Sequence, residues 1–237
     1  MNRTIKKVAI LGSGVMGSRI ACHFANIGVQ VLLLDIVPFE LNEEEQKKGL
    51  TKESPLVRNR IVTTALQNTL KSNPSAIYEK SNASRITTGN FDDDLPKIKD
   101  YDWVIEVVVE RLDIKQQLFE KVEKYRKPGT LVSSNTSGIP IHLMAEGRSD
   151  DFQKHFCGTH FFNPPRYLRL LEIIPTTKTD PSIVEFHMHY GDVFLGKTTV
   201  LCKDTPAFIA NRVGVFSMMS VLHIMEKMEL SIDEIES

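Results

Sequence analysis

"KKVAILGSGVMG", residues 6–17, decides the fold. Its apolar half is a short, nearly continuous run ending at glycines, the pattern of a buried parallel strand. "VMGSRIACHFANIG" (15–28) then carries apolar side chains at helical spacing and stops at Gly28, a suitable C-terminal glycine. "VQVLLLD" (29–35) reads as the next strand and ends in an acid. Strand, glycine turn, helix and strand in that order make a βαβ unit.

The turn itself, Gly12, Gly14 and Gly17, fits G-x-G-x-x-G, and Asp35 follows Gly14 by 21 residues. The glycines alone are a weak signal; their place between strand and helix, with the acid closing the second strand, is specific. Gly12 permits the tight turn, Gly14 lets backbone approach a pyrophosphate, and Gly17 allows close helix–strand packing. Free amides at the helix start, Val15 and Met16 included, carry partial positive charge toward phosphates. Asp35 would accept hydrogen bonds from ribose hydroxyls and repel a 2′-phosphate. "DIVPFE" (35–40) has no arginine to reverse that preference, so NAD is favoured over NADP. The plainer reading is a glycine-rich turn beside a surface aspartate.

Working outward, residues 40–83 are polar and helix-leaning, with Pro55 and Pro74 as breaks. "RITTG" (85–89), "WVIEVVV" (103–109) and "TLVSSNTS" (130–137) are strand-like. Between the last two, residues 111–126 carry a helical stripe at Leu112, Leu118, Phe119 and Val122. Alternating strands and helices predict a doubly wound, mostly parallel α/β sheet. No repeat, low-complexity tract or long linker interrupts it.

Bulk composition excludes several partners. Of 237 residues, 41 % are apolar and 25 % charged, and 29 basic against 30 acidic side chains leave a net charge of −1. Neither nucleic acid nor an anionic membrane is indicated. Cys22, Cys157 and Cys202 are too few and scattered for a disulfide framework, which suits a reducing compartment, by default the cytoplasm. The N-terminal stretch imitates a signal peptide, but glycines and Arg19 break its short apolar part. No run of 18 apolar residues is present, so no transmembrane helix is expected. From Pro206, "AFIANRVGVFSMMSVLHIMEKM" reads as one helix, apolar around most of its circumference between Val213 and Met225. Such a helix is usually buried on more than one side, and the sequence reads as ending just inside a second, helical domain. Packing on the sheet or on a symmetry partner is the other possibility.

Function must be argued from a site, because dinucleotide folds host many reactions. The strand ends after "WVIEVVV" and "LVSSNT" lie on the ligand side of such a sheet and offer Glu110, Ser134, Asn135, Thr136 and Ser137. Turn and N-cap chemistry accounts for most clusters of this kind. "THFFNPPRYLRLLEIIP" (159–175) is more telling. His160 and Glu172 each sit inside an apolar run, where a polar group costs free energy unless paired. Asn163, Pro164 and Pro165 force a turn that can lay the two runs side by side. A carboxylate holding an imidazole fixes its tautomer and raises its basicity, as proton transfer near neutral pH requires. A satisfied core histidine is the ordinary alternative. Metal binding fails on spacing: His155 and Cys157 face away from His160 on a regular strand, and His187 and His189 diverge on a helix. Cys157 in an apolar strand would be a poor nucleophile.

"GSGVMG", "EVVVERLDIKQQLFEKVE", "SNTSG", "HFFNPP" with Glu172 beyond it, and "CKDTPAFIANR" occur in the order seen in the 3-hydroxyacyl-CoA dehydrogenase family, which this chain resembles over essentially its whole length, least from 38 to 84. The resemblance implies a Rossmann-type NAD-binding domain over 1–204 and the beginning of a helical C-terminal domain over 205–237. It implies His160 as the catalytic histidine, Glu172 as its partner, Ser137 as the contact to the substrate's 3-oxygen, and Asn211 in support. NAD contacts would fall to the glycine loop, Asp35, Glu110, Lys115 and Asn163. The implied reaction is NAD-dependent oxidation of (S)-3-hydroxyacyl-CoA in fatty-acid β-oxidation, by a homodimer formed through the C-terminal helices. Three positions depart from the family pattern: Gly138 after "SNTS"; Arg166, Tyr167 and Arg169 in a loop that is often less basic and could suit another acyl group; and Arg111. A non-catalytic NAD-binding or dimerising module, or a dehydrogenase of a β-hydroxyacid or UDP-sugar, are the competing readings.

Overall fold

A computed structural model describes residues 3–236. The βαβ unit predicted from the glycine turn is β1 (Lys7–Leu11), α1 (Val15–Asn26) and β2 (Gln30–Asp35). The polar stretch after it folds into α2 (Glu43–Lys47), α3 (Pro55–Arg58) and α4 (Arg60–Leu70). Pro55 opens α3 at a first-turn position, where its missing N–H costs nothing. β3 (Ile86–Asn90), β4 (Trp103–Glu106), α5 (Leu112–Tyr125) and β5 (Leu131–Ser134) continue the alternation. Two short helices, α6 (Ile141–Ala145) and α7 (Asp150–Lys154), lead to β6 (Phe156–Phe161). Then come β7 (Leu170–Pro175), α8 (Pro181–Val193), β8 (Thr198–Leu201), α9 (Ala210–Met228) and α10 (Ile232–Glu236).

The eight strands form one sheet in the order β3-β2-β1-β4-β5-β6-β7-β8. Neighbours are parallel except β6 and β7, which pair antiparallel. The order reverses direction at β1, between β2 and β4, where doubly wound sheets bind ligands. Alternate residues of each strand serve the two faces. Val8, Ile10, Val31, Leu33, Trp103 and Ile105 pack under α1, α4 and α8; Ala9, Leu11, Leu32, Leu34, Val104 and Val132 pack under α5, α6 and α7.

Two elements differ from the sequence expectation. "WVIEVVV" pairs as a strand only through Glu106; Val107 still donates to the Leu11 carbonyl at 2.8 Å beside the glycine turn, and Val108 and Val109 then leave the sheet toward α5, with Val109 exposed. The terminal helix starts at Ala210, not after Pro206. Ala207 and Phe208 adopt left-handed φ of 62° and 48°, a reversal that buries the Phe208 ring instead of extending the helix. That helix is not buried on several sides. Among the described residues nothing covers its apolar side chains, and Phe216 is 71 % exposed.

Candidate functional site

The glycine turn owes its shape to two close approaches and one open side. Gly12 has φ +108°, and a Cβ there would meet the Val107 carbonyl oxygen at 2.5 Å. A Cβ on Gly17 would run into the carbonyl of Gly12, so helix and strand approach closely only without one. A Cβ on Gly14 would meet nothing within 4 Å, so the turn is open on that side, toward the amides of Val15 and Met16 at the start of α1. Asp35 closes β2 beside this turn. Its Oδ2 accepts from the Ser13 amide at 2.6 Å and hydroxyl at 2.5 Å, and its Oδ1 accepts from Ile36 N–H at 2.7 Å. A cleft of about 550 Å³ runs over Gly12 and Gly14 between Asp35, Phe39, Phe91 and Val108. Open helix-start amides, absent Cβ atoms and a carboxylate on the cleft wall fit a dinucleotide.

A second cleft of about 380 Å³ shares Val107 and Val108 with the first. It gathers Met16, Glu110, Lys115, Ser137, His160, Asn163 and Asn211, seven residues expected from sequence. The turn after Phe161 folds β7 back on β6 so that His160 and Glu172 are register partners. His160 Nδ1 lies 2.8 Å from Glu172 Oε2, and both side chains are buried. Glu172 Oε1 accepts from the amides of Ile209 at 3.1 Å and Ala210 at 2.8 Å. The Cys202 thiol lies near this carboxylate; burial first, and then the charge of Glu172, push it up to about 12. Asn211 Nδ2 donates to the Ser137 carbonyl at 3.3 Å. Asn135 Oδ1 receives the Phe161 amide at 2.8 Å, which fixes the chain just past His160.

Glu110 organises the opposite wall. It accepts from the Thr136 hydroxyl and from the amides of Ser137 at 3.0 Å and Gly138 at 3.2 Å. Burial alone would raise its carboxyl, but the Thr136 hydroxyl and the Lys115 ammonium bring it below the usual range. Lys115 borders the cleft with its ammonium already shared, 2.7 Å from Glu106 and 3.2 Å from Glu110.

Glu106 escaped the sequence reading. It is fully buried, and it accepts from Lys115 and the Val108 amide at 2.7 Å and from the Ser134 hydroxyl at 2.5 Å. Burial pushes its carboxyl up, opposed by Lys115 and these donors. The signal was available: Glu106 interrupts "WVIEVVV" as His160 interrupts its own run. The basic loop packs on a segment distant in sequence. Arg166 stacks 4.1 Å over Tyr78 and donates to the carbonyls of Ser75 and Ile77, while Tyr167 donates to Ser75. These two side chains therefore fasten residues 75–78 to the turn after His160. Asn163 is held by Arg19 at 3.0 Å. Cys157 is buried against His187, and burial pushes its thiol up, away from reactivity.

Fold and clefts define a dinucleotide-binding protein with a histidine–carboxylate couple beside the ligand crevice. The family model for the 3-hydroxyacyl-CoA dehydrogenase NAD-binding domain matches residues 7–205. A probable 3-hydroxyacyl-CoA dehydrogenase of Bacillus subtilis (strain 168) is 54 % identical over the whole chain, which spans 30 % of that protein. One from Deinococcus radiodurans is 47 % identical over 98 % of the chain and 63 % of its own length. Among solved structures, (S)-3-hydroxybutyryl-CoA dehydrogenase PaaH1 from Ralstonia eutropha superposes with a TM-score of 0.74 at 25 % identity, covering 98 % of this chain and 75 % of that one. The chain belongs to the 3-hydroxyacyl-CoA dehydrogenase family, and its cofactor is NAD. It spans less than two thirds of either bacterial relative. No helix among the described residues is long and apolar enough to cross a membrane.

Proposed function

We propose that this chain carries the NAD-dependent oxidation of (S)-3-hydroxyacyl-CoA to 3-ketoacyl-CoA, a step of fatty-acid β-oxidation. The observation that carries this reading is the 2.8 Å His160–Glu172 couple, with His160 lining a cleft that shares Val107 and Val108 with the dinucleotide cleft. The names of the relatives supply the acyl-CoA.

NAD, when bound, accepts the hydride. Gly12, Gly14 and the amides of Val15 and Met16 would hold its pyrophosphate, Asp35 its adenosine ribose, and Glu110, Lys115 and Asn163 its nicotinamide end. Glu172 holds Nδ1 of His160, so Nε2 is the nitrogen that takes the hydroxyl proton. Ser137 contacts the 3-oxygen, and Asn211 steadies the turn that carries it. Correct placement contributes most to the rate, and proton transfer adds about 10²–10⁴-fold.

Residues 1–204 would be the cofactor domain and 205–237 the start of a helical domain, through which the protein forms a homodimer. Three buried free cysteines suit a reducing cytoplasm. Reduction of acetoacetyl-CoA with NADH tests the reaction, run beside a β-hydroxyacid, a UDP-sugar and NADPH. NADH-dependent turnover of the thioester alone is expected. Turnover confined to a free acid or sugar nucleotide, or none in the full-length protein, would overturn the assignment.

A further inference from the structure

Glu172 uses one oxygen on His160 and the other on helix α9. Oε1 takes both amides that start the helix, Ile209 at 3.1 Å and Ala210 at 2.8 Å, within a side chain only 1 % exposed. A carboxylate bound at one oxygen can still rotate; bound at both, it cannot turn without breaking all three bonds. The first turn of a helix has no internal acceptor for such amides, and the Cys202 sulfur is the other group that meets Ile209 here. The helix dipole adds favourable charge at the same point.

The segment leading to these amides is built to deliver them. Asp204 is fixed to the start of α6, accepting from the amides of Ile141 at 2.8 Å and His142 at 2.9 Å. From there the left-handed pair Ala207 and Phe208 reverses the chain. Phe208 lands 5.9 Å from the His160 ring. Left-handed backbone is costly for residues with a Cβ, so tertiary contacts must hold it.

We propose that the start of α9 is the positioning element of the histidine–carboxylate couple: the Ile209 and Ala210 amides lock the Glu172 carboxylate in the orientation that keeps the proton on Nδ1 of His160 and Nε2 free. This rests on the reading of His160 as the base. Any displacement of α9 is then transmitted to the imidazole through one side chain. Ile209 and Ala210 act through Glu172 and touch no reacting atom.

The test removes one N–H. Ala210→Pro does so at the first helical position, where proline is tolerated. Its preceding residue, Ile209, is helical in φ and ψ, which proline disfavours. Incorporating lactic acid at position 210 converts the amide to an ester with no added bulk, so a misfolded proline variant does not shield the proposal. Nitrogen-15 NMR of the His160 ring in the 237-residue chain reads the tautomer directly and needs no turnover. The native chain should show a single Nδ1–H form; the ester should show mixed tautomers, a kcat lowered about tenfold, and KM values within about twofold. A native tautomer and native kcat in the folded ester would overturn the proposal. Failure of native turnover would strike the reaction assignment instead, leaving the tautomer measurement to judge this inference alone.

Discussion

At residue scale, the chemistry depends on buried polar groups that find partners. His160→Gln should lower turnover about 10²–10⁴-fold while the dissociation constant for NAD stays within about twofold. Near-native turnover of that variant would remove the histidine from the reaction. Asp35→Asn takes away the charge that repels a 2′-phosphate; the ratio of kcat/KM for NAD over NADP should fall at least about tenfold, a loss of roughly 1.4 kcal/mol of discrimination. The Glu106–Lys115 pair, with side chains 0 % and 1 % exposed, is a different kind of dependence. Lys115→Met leaves an unpaired buried carboxylate and should cost about 3–5 kcal/mol in urea unfolding, whereas the double change with Glu106→Gln should cost less. The couple at His160 was legible in the sequence because two polar residues interrupt apolar runs across a proline turn. Glu106 carried the same signal, but its partner is a lysine on a helix nine residues on, and no turn pointed to it.

At the scale of elements, the strand–glycine–helix–acid unit was readable because each feature is local. Gly17→Ala should abolish NAD binding measured by calorimetry, since the added methyl meets the Gly12 carbonyl and α1 must move. The start of α9 was not readable in this way. Apolar periodicity runs unbroken through Ala207 and Phe208, whereas in the fold both are left-handed, with the Phe208 ring buried and the next two amides on Glu172. Ala207→Gly should therefore raise the urea midpoint, by a stability of about 1 kcal/mol. The departure of Val108 and Val109 from the line of β4 was hidden for a similar reason: valine favours strands, and the glycine turn beside them does not register in the local sequence.

At the scale of the whole molecule, the sheet brings buried histidines into play that the chemistry does not use. Burial holds His23 and His187 down at about 4, against an ordinary value of 6.5. A folded-state value below the unfolded one means that the unfolded chain binds more protons across this window. Stability should be full above about pH 6.5 and fall as pH drops toward 4, by an amount on the order of a few kcal/mol, measured by thermal melts across that range. A flat profile would show that these rings are solvated. The sheet also separates its two rims. Six parallel strands and the turn into β7 bring every cleft residue to one end, while the other end is tied by ordinary fastenings: Asp102 receives the amides of Lys6 and Lys7, and Arg3 donates to the Gly129 carbonyl. The loop at 127–130 lies at that far end, on the side away from every group the reaction would need. It is the natural place to attach a fluorophore or graft a foreign peptide, giving a reporter that leaves the chemistry undisturbed.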